Sequence, residues 1–379
     1  MDVAANLRGR LVDSLLAADV LRDPRWAEAF RQVPRHVFLP GFFAQRPDGA
    51  WEPITSDHPD HLALVYRNEV CVTQLNGDDR AWEQALATGS APGVPTSSSS
   101  MPTIMAIMLE ALAVAPGDRV LEIGTGTGYN AALLCHVLGD SRVTSIDVDP
   151  GVLARARSRL DVAGYRPTCV VGDGEQGHAP NAPYDRVLGT CAVSRIPAAW
   201  IAQTAPGGLI ITTFNRAIGA GLVRLTVRDG RATGRVLPED GRFMPLRAHR
   251  QAWADDALVD AVSAEPRTSR TTLLPSRAVV DPSSGFEFFA GLVLADVVVA
   301  AEPIRLVHPD GSWVRHRGAV VDQGGPRALW DEAEAAYRQW QALGKPRRRQ
   351  FTFTATPTEQ HFALDGTDLT WPLTTRPPT

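Results

Sequence analysis

Val120-Leu-Glu-Ile-Gly-Thr-Gly-Thr-Gly-Tyr-Asn130 decides the fold. Asp118 to Ile123 reads as a short buried strand, rich in Val, Leu and Ile, with no Pro and no interior Gly. Gly124, Gly126 and Gly128 then make a tight turn, with Thr125 inside it. From Tyr129 an Ala- and Leu-rich run, Asn130 to Leu138, reads as a helix. Strand, glycine turn and helix start together make a nucleotide cradle. Glycine lets a ligand approach the backbone, and the first N–H groups of a helix point at it.

The glycine spacing narrows the ligand. The dinucleotide pattern is G-x-G-x-x-G, whereas here the glycines fall at 124, 126 and 128 and Tyr129 follows. No Gly-Lys-Ser/Thr is present, which excludes a P-loop. An acid ahead of G-x-G-x-G resembles the loop of S-adenosyl-L-methionine methyltransferases. That cofactor has no phosphate, and its amino acid end is zwitterionic. Glu122 is therefore the candidate for the ammonium group, directly or through water. Arg142 to Asp147 is a second strand ending in an acid, 19 residues after Gly128. Asp147, with Val148 beside it, suits the ribose hydroxyls. Cys169 to Gly174 is a third such strand, and Asp173-Gly174 suits the adenine amino group. Three surface acids and a generic turn are the plain alternative. Their order, each acid after a strand, argues for a site.

Composition bounds the rest. The 379 residues suit one Rossmann-like domain plus something else. A net charge of -4 argues against a general nucleic-acid binder. Lys345 is the one lysine, so nearly all positive charge is Arg. The four cysteines (71, 135, 169 and 191) show no zinc spacing and read as buried thiols in a reducing cytoplasm. Residues 1–20 carry Asp2, Arg8, Arg10, Asp13 and Asp19, so neither a signal peptide nor a membrane span is expected there.

Ahead of the loop, residues 2–18 and Pro24 to Gln32 read as helices. Val33-Pro-Arg-His-Val-Phe-Leu-Pro40 is extended and says little by itself. Asp57-His58-Pro59-Asp60-His61 reads as solvated loop rather than a metal site. Gly93-Val-Pro-Thr-Ser-Ser-Ser-Ser-Met-Pro102 precedes an apolar helix, Thr103 to Ala113. Four serines commonly mark a linker. Directly before a helix, their hydroxyls and the free N–H groups can instead hold a carboxylate.

Beyond the loop, strands at 118–123, 142–147, 167–171, 184–190 and 207–213 alternate with helices at 129–138, 150–163 and 197–204. This predicts an α/β fold with a mainly parallel sheet. A hairpin around Asp229-Gly230 would close it as an antiparallel edge. The expected division is 1–100 (helices and loops of the methyltransferase domain), 101–244 (Rossmann-like cofactor core) and 245–379 (an α+β extension for peptide recognition). In the extension Pro326 to Leu343 is a helix with Gly325 as N-cap, and Arg347-Arg-Arg349 is a solvated turn or a contact for an acidic peptide.

These segments together resemble the protein-L-isoaspartate O-methyltransferase family over about residues 10–240. Val33 to Pro40 matches its V-P-R-x-x-F-x-P segment, and Ser97 to Pro102 stands at its T-I-S-x-P motif. Gly172-Asp-Gly174, Ala182-Pro-Tyr-Asp185 and Pro206-Gly-Gly208 continue the match in order. The resemblance implies a class I fold, S-adenosyl-L-methionine as cofactor and S-adenosyl-L-homocysteine as product. It implies Ser98 and Ser100 as the catalytic pair, and Ser97, Ser99 and Thr103 on the cofactor side with Glu122, Gly124, Thr125, Gly126, Gly128, Asp147, Val148, Asp173 and Gly174. Thr103 departs from the His of some repair enzymes. The serine run and the tail resemble a subgroup found beside peptide-maturing enzymes, notably of graspetides and lanthipeptides.

The resemblance leads to three hypotheses. The first is methylation of an Asp side chain in a macrocyclised ribosomal peptide, the ester then closing to an aspartimide. The second is repair of isoaspartyl residues in damaged proteins. The third is a cofactor-binding scaffold without turnover. For the first two the partner is a peptide, with no nucleic acid, membrane or metal, and no general base is needed because a carboxylate is ionised at pH 7.

Overall fold

Val120 to Ile123 leaves no face for water: all four residues are buried, as an inner strand requires. Around that strand the computed structural model describes residues 2–214, 216–250, 265–300 and 303–373. The chain divides into two compact units, residues 1–191 with 197–211, and residues 192–196 with 212–379.

The first unit begins with α1 (Val3–Ala17), capped by Asp2, and α2 (Pro24–Gln32), capped by Asp23. A small antiparallel sheet follows. Its elements are β1 (Gly41–Gln45), β2 (Trp51–Thr55), α3 (His61–Val65), β3 (Cys71–Leu75), α4 (Arg80–Thr88) and β4 (Pro95–Ser99), with strand order β2-β1-β3-β4. Phe43, Trp51, Val72, Leu75 and Ala85 form its core. His61, read as part of a solvated loop, is instead buried, its Nε2 2.8 Å from the Leu39 carbonyl oxygen.

Then come α5 (Pro102–Leu112), β5 (Val120–Ile123), α6 (Tyr129–Leu138), β6 (Val143–Asp147), α7 (Pro150–Val162), β7 (Thr168–Val171), β8 (Tyr184–Val193), α8 (Ala198–Gln203) and β9 (Thr204–Phe214). β8 and β9 belong to this unit through Cys191 and Ile211. β5 pairs parallel with both β6 and β8, and β6 pairs parallel with β7. The order β9-β8-β5-β6-β7 means that the chain winds outward from β5 on one side and then crosses to the other. In such sheets the ligand crevice lies at the carboxyl ends of the strands where the winding reverses, here β5 and β8. The expected α/β class is what the fold has.

The second unit contains β10 (Leu222–Arg228) and β11 (Arg231–Val236). Asp229 and Gly230 join them, both at positive φ (51° and 69°), as the tight primed turn requires. This hairpin is not the sheet edge that its sequence predicts. β11 pairs antiparallel with β17 (Phe351–Ala355), which continues to β18 (Gln360–Leu364) and β19 (Thr370–Pro372). That pairing ties the hairpin to the C-terminal strands, so the boundary expected near 245 falls inside this unit. Phe214, Phe353 and Phe362 close the core there, with Phe214 4.8 and 5.3 Å from the other two ring centroids.

The remainder is β12 (Thr268–Thr271), α9 (Ser276–Val280), α10 (Glu287–Val293), β13 (Val298–Ala300), β14 (Ile304–Val307), β15 (Trp313–Arg317), β16 (Val320–Gly324) and α11 (Leu329–Ala342). Its five strands make an antiparallel sheet of order β12-β16-β15-β14-β13. The expected N-cap Gly325 stands outside α11, which Ala328 precedes, because the Arg327 N–H donates to Ser312 Oγ instead. Arg347-Arg-Arg349 is not a solvated turn throughout. Arg348 donates to Asp240 and to the fully buried Glu287, each at 2.9 Å. Among the described residues no helix is long and apolar enough to cross a membrane.

Candidate active site

The glycine turn after β5 is held from both sides. The N–H groups of Gly124 and Thr125 donate to the Ile146 carbonyl at 2.8 and 3.2 Å. Thr190 Oγ1, on β8, lies 2.7 Å from the Gly124 carbonyl oxygen and 2.9 Å from that of Ile123. Gly124, Gly126 and Gly128 have φ of 98°, 53° and 87°, which side chains rarely adopt. Their surroundings differ. A Cβ on Gly126 would stand 3.2 Å from the Ser98 carbonyl oxygen. Gly128 is buried, and a Cβ there would meet the Ala156 carbonyl and Leu160 Cγ at 3.3 Å. A Cβ on Gly124 would stand 2.8 Å from Thr190 Oγ1, so Gly124 admits the hydroxyl that holds the turn, Gly126 admits the Ser98 backbone, and Gly128 allows α6 to pack on α7. Thr125 is buried with its hydroxyl 2.7 Å from Ser145 Oγ, so only its backbone is turned to a ligand.

Glu122 is 0% exposed, accepting from Asn130 Nδ2 at 2.7 Å and from Ser145 Oγ at 2.5 Å. Burial pushes its carboxyl up to about 7. These contacts give Glu122 a structural part. Glu122 fixes Ser145, which reaches Thr125, and Asn130, in the first turn of α6.

Asp147, half-buried at the end of β6, accepts from the Gly126 N–H and the Asp149 N–H, both at 3.0 Å. Val148 beside it is exposed. Asp173 is exposed and caps the turn Gly174–Gln176 by accepting from the Glu175 N–H at 2.9 Å. Gly174 is buried, its carbonyl accepting from Trp200 Nε1 at 2.7 Å.

The serine run is neither a linker nor the loop before a helix. Pro95–Ser99 is strand β4, with Ser99 opposite Cys71 and Ser98 opposite Val72. α5 starts at Pro102 without a side-chain cap, and the Thr103 N–H already donates to Asn68 Oδ1 at 2.9 Å. Thr103 Oγ1 accepts from Asn68 Nδ2 at 2.7 Å, which turns this residue to the turn before β3 rather than to the glycine loop. Ser97 Oγ accepts from Thr73 Oγ1 at 3.3 Å. Ser99 is buried with its hydroxyl unpartnered. The hydroxyls of Ser98 and Ser100 have no hydrogen-bond partner among the described residues, so both are free to meet a ligand.

What places this strand is a residue to which its sequence context gave no role. Arg35 is 0% exposed. Its guanidinium donates to the carbonyls of Val65 (2.6 Å), Arg67 (3.1 Å), Glu69 (3.1 Å) and Ser100 (3.1 Å). Among the described residues no carboxylate pairs with it. Arg35 and Thr190 are the positioning residues that sequence reasoning missed. For Arg35 the signals were the prolines around it and its place in the V-P-R-x-x-F-x-P match, neither of which gave it a role.

The parts fit S-adenosyl-L-methionine. A glycine turn admits close backbone approach, Asp147 stands at the strand end, and the hydroxyls of Ser98, on the strand that meets Gly126, and of Ser100, just past its end, have no partner among the described residues.

Two outcomes follow from this geometry. Arg35→Met leaves four carbonyls without their donor, and we expect a loss of about 3–5 kcal/mol in urea denaturation; stability within about 0.5 kcal/mol of the parent would contradict the assigned role. Glu122 is protonated in the folded state over a range where the unfolded chain has lost that proton. Its contribution is therefore complete below the ordinary 4.5 and is lost as pH rises through about 7. The decline is on the order of 3 kcal/mol. Glu122→Gln should flatten the stability profile between pH 4.5 and 7.5; an unchanged slope would place the titration elsewhere.

Comparison with known proteins agrees with these parts. Residues 76–251 match the profile of the family described as protein-L-isoaspartate(D-aspartate) O-methyltransferase (PCMT). The protein-L-isoaspartate O-methyltransferase of Methanoculleus marisnigri is 33% identical over 241 residues, which are 63% of this chain and 90% of that protein. The one from Azorhizobium caulinodans is 38% identical over 188 residues, 49% of this chain and 86% of that protein. A solved structure titled protein-L-isoaspartate O-methyltransferase has the same fold, with a TM-score of 0.54 and 22% identity, and the match covers 94% of this chain and 99% of that one. The chain belongs to the protein-L-isoaspartate(D-aspartate) O-methyltransferase family and is an S-adenosyl-L-methionine-dependent carboxyl O-methyltransferase.

Proposed function

We propose that this chain methylates the free carboxylate of an isoaspartyl residue in a peptide or protein. The observation that carries the reading is the approach of β4 to the glycine loop: Ser98 lies against Gly126, and the hydroxyls of Ser98 and Ser100 are free. Bound S-adenosyl-L-methionine supplies an electrophilic methyl on a sulfonium sulfur. We assign its binding to Gly124, Gly126, Asp147, Val148, Asp173 and Gly174, with Thr125 through its backbone and Gly128 through packing.

Ser98 and Ser100 orient the carboxylate by donating to it, so that one oxygen points at the methyl. With the cofactor bound, that oxygen would take the methyl as the bond from methyl to sulfur breaks, and because the carboxylate is already ionised no proton would have to move. Holding the reactants in this way lowers a barrier by several kcal/mol, up to roughly 7–11. Ser97 and Ser99 support the strand that carries the pair. We place the reaction in the cytoplasm, in keeping with four cysteines that stand as free thiols.

The same chemistry admits a second substrate, an ordinary Asp in a macrocyclised ribosomal peptide. Its methyl ester would close to an aspartimide as the next backbone nitrogen attacks the ester carbon, loses its proton and expels methanol. The observation favouring it is that the family profile ends at residue 251, leaving a large part of the second unit outside it. The isoaspartyl reading leads, because the relatives that bear that name match over most of their own length.

Mass spectrometry separates the two. An isoaspartyl peptide and a macrocyclised precursor are incubated with enzyme and cofactor in parallel. A methyl gained on the isoaspartyl peptide is expected. A methyl gained only on the precursor, followed by loss of methanol, would replace the leading reading with the second. In either assay Ser98→Ala and Ser100→Ala should each lower kcat by about tenfold to a hundredfold, with cofactor affinity unchanged; full activity in both would remove the serines from the mechanism.

A further inference from the structure

The small antiparallel sheet breaks its own register beside the serine strand. Cys71 pairs with Ser99 and Val72 with Ser98, but Gln74 pairs with Ser97 and Leu75 with Pro95. Thr73 is thus an extra residue on β3, and Thr96 is one on β4. Bulges of this kind give up ladder hydrogen bonds and re-aim a side chain. The side chain between the two bulges is Gln74, a polar group only 4% exposed.

Both ends of its amide are used. Gln74 Oε1 accepts from Thr96 Oγ1 at 2.9 Å, and Thr96 Oγ1 accepts in turn from the Gly77 N–H at 2.9 Å. Gln74 Nε2 donates to Asp149 Oδ2 at 3.1 Å. The other oxygen of Asp149 caps α7, accepting from the Gly151 and Val152 N–H groups at 2.9 and 3.0 Å. The Asp149 N–H donates to Asp147, which also accepts from the Gly126 N–H. A hydrogen-bonded path therefore runs from β4, through one buried amide, to the end of β6 and the glycine turn. All of it lies within the first unit. Arg155 on α7 makes a second tie, to Asp79 at 2.8 Å, but both side chains are largely exposed, and such pairs contribute little. The buried, charge-assisted bond from Gln74 to Asp149 is the stronger link.

We propose that Gln74 is a positioning residue for methyl transfer, setting the spacing between the strand that carries Ser98 and the strand end that carries Asp147. Gln74 acts through its neighbours. Peptide contacts stay on β4, which its ladder and Arg35 hold, and cofactor contacts stay on the glycine turn and the strand ends. What Gln74 adds is the distance between them. A misplacement of about 1 Å between reacting groups can cost about a hundredfold in rate, so the link acts on rate rather than on affinity. The inference rests on the proposed placement of the carboxylate at Ser98 and Ser100.

The test measures single-turnover methyl transfer by the full chain with both substrates saturating, and KM for each substrate. Gln74→Met keeps the size and removes both hydrogen bonds. Its single-turnover rate should fall about tenfold, with both KM values within about twofold of the parent. Gln74→Glu sets a carboxylate against that of Asp149 and should fall at least as far. Combining Gln74→Glu with Asp149→Asn exchanges amide and carboxylate. The hydrogen bond then returns with its donor on the other side, and Asn still caps a helix. This double variant should recover to within about threefold of the parent rate. A side chain that only stabilised the fold would lower the urea midpoint and leave the rate of the folded enzyme alone. If Gln74→Met does not fold, the exchange pair carries the test.

Parent rates in both Gln74→Met and Gln74→Glu, a loss confined to KM, or a double variant no faster than Gln74→Glu would overturn the proposal. Rates are read on whichever of the isoaspartyl peptide and the macrocyclised precursor the parent methylates. A parent active only on the precursor would count against the isoaspartyl reading, and the Gln74 variants are then judged on the precursor.

Discussion

A buried guanidinium organises the first unit. Taking a charge out of water is costly, and the usual remedy is a carboxylate. Arg35 is instead surrounded by the carbonyls of Val65, Arg67, Glu69 and Ser100. That choice has a geometric consequence. A carboxylate would tie Arg35 to one side chain, whereas four carbonyls tie it to two stretches of backbone. One stretch runs into β3 and the other leaves β4. The start of β3 and the end of β4, which meet at the Cys71–Ser99 pair, therefore share a single anchor, next to the residue pair that puts Ser98 against Gly126. Arg159 on α7 acts in a similar way, donating to the Phe38 carbonyl at 3.1 Å, with burial pushing it down to about 10.

The cofactor half was the more legible in sequence. A strand, glycines at 124, 126 and 128 and acids at three strand ends are local signals, and the parallel sheet delivers them to one end of the unit. The substrate half was less so. Four serines carry no periodicity that separates strand from loop, and their strand exists because β3 pairs with it and Arg35 pins its end. Glu122 shows the limit of motif reading. Its position before the glycines is informative, but burial turns its carboxylate toward Asn130 and Ser145. Thr190 was invisible because nothing near it in sequence marks that part of β8 as a contact of the Gly124 turn.

The second unit was misjudged in extent for a related reason. The composition changes near 245, but strand pairing does not respect composition. Phe351–Ala355 pairs with Arg231–Val236 across more than a hundred residues of chain, and no local pattern announces that. A solved chain titled protein-L-isoaspartate O-methyltransferase shares its fold over 94% of this one, so the fold likeness extends past residue 251, where the family profile ends.

The central claim is that β4, held by Arg35, presents the acceptor carboxylate to the cofactor loop. The most direct measurement is a crystal structure with S-adenosyl-L-homocysteine and an isoaspartyl peptide bound together. The account predicts a carboxylate oxygen of the peptide within about 3.2 Å of the Ser98 or Ser100 hydroxyl, with the other oxygen in line with the cofactor sulfur. A peptide carboxylate held by other residues, with both hydroxyls turned to water, would contradict it.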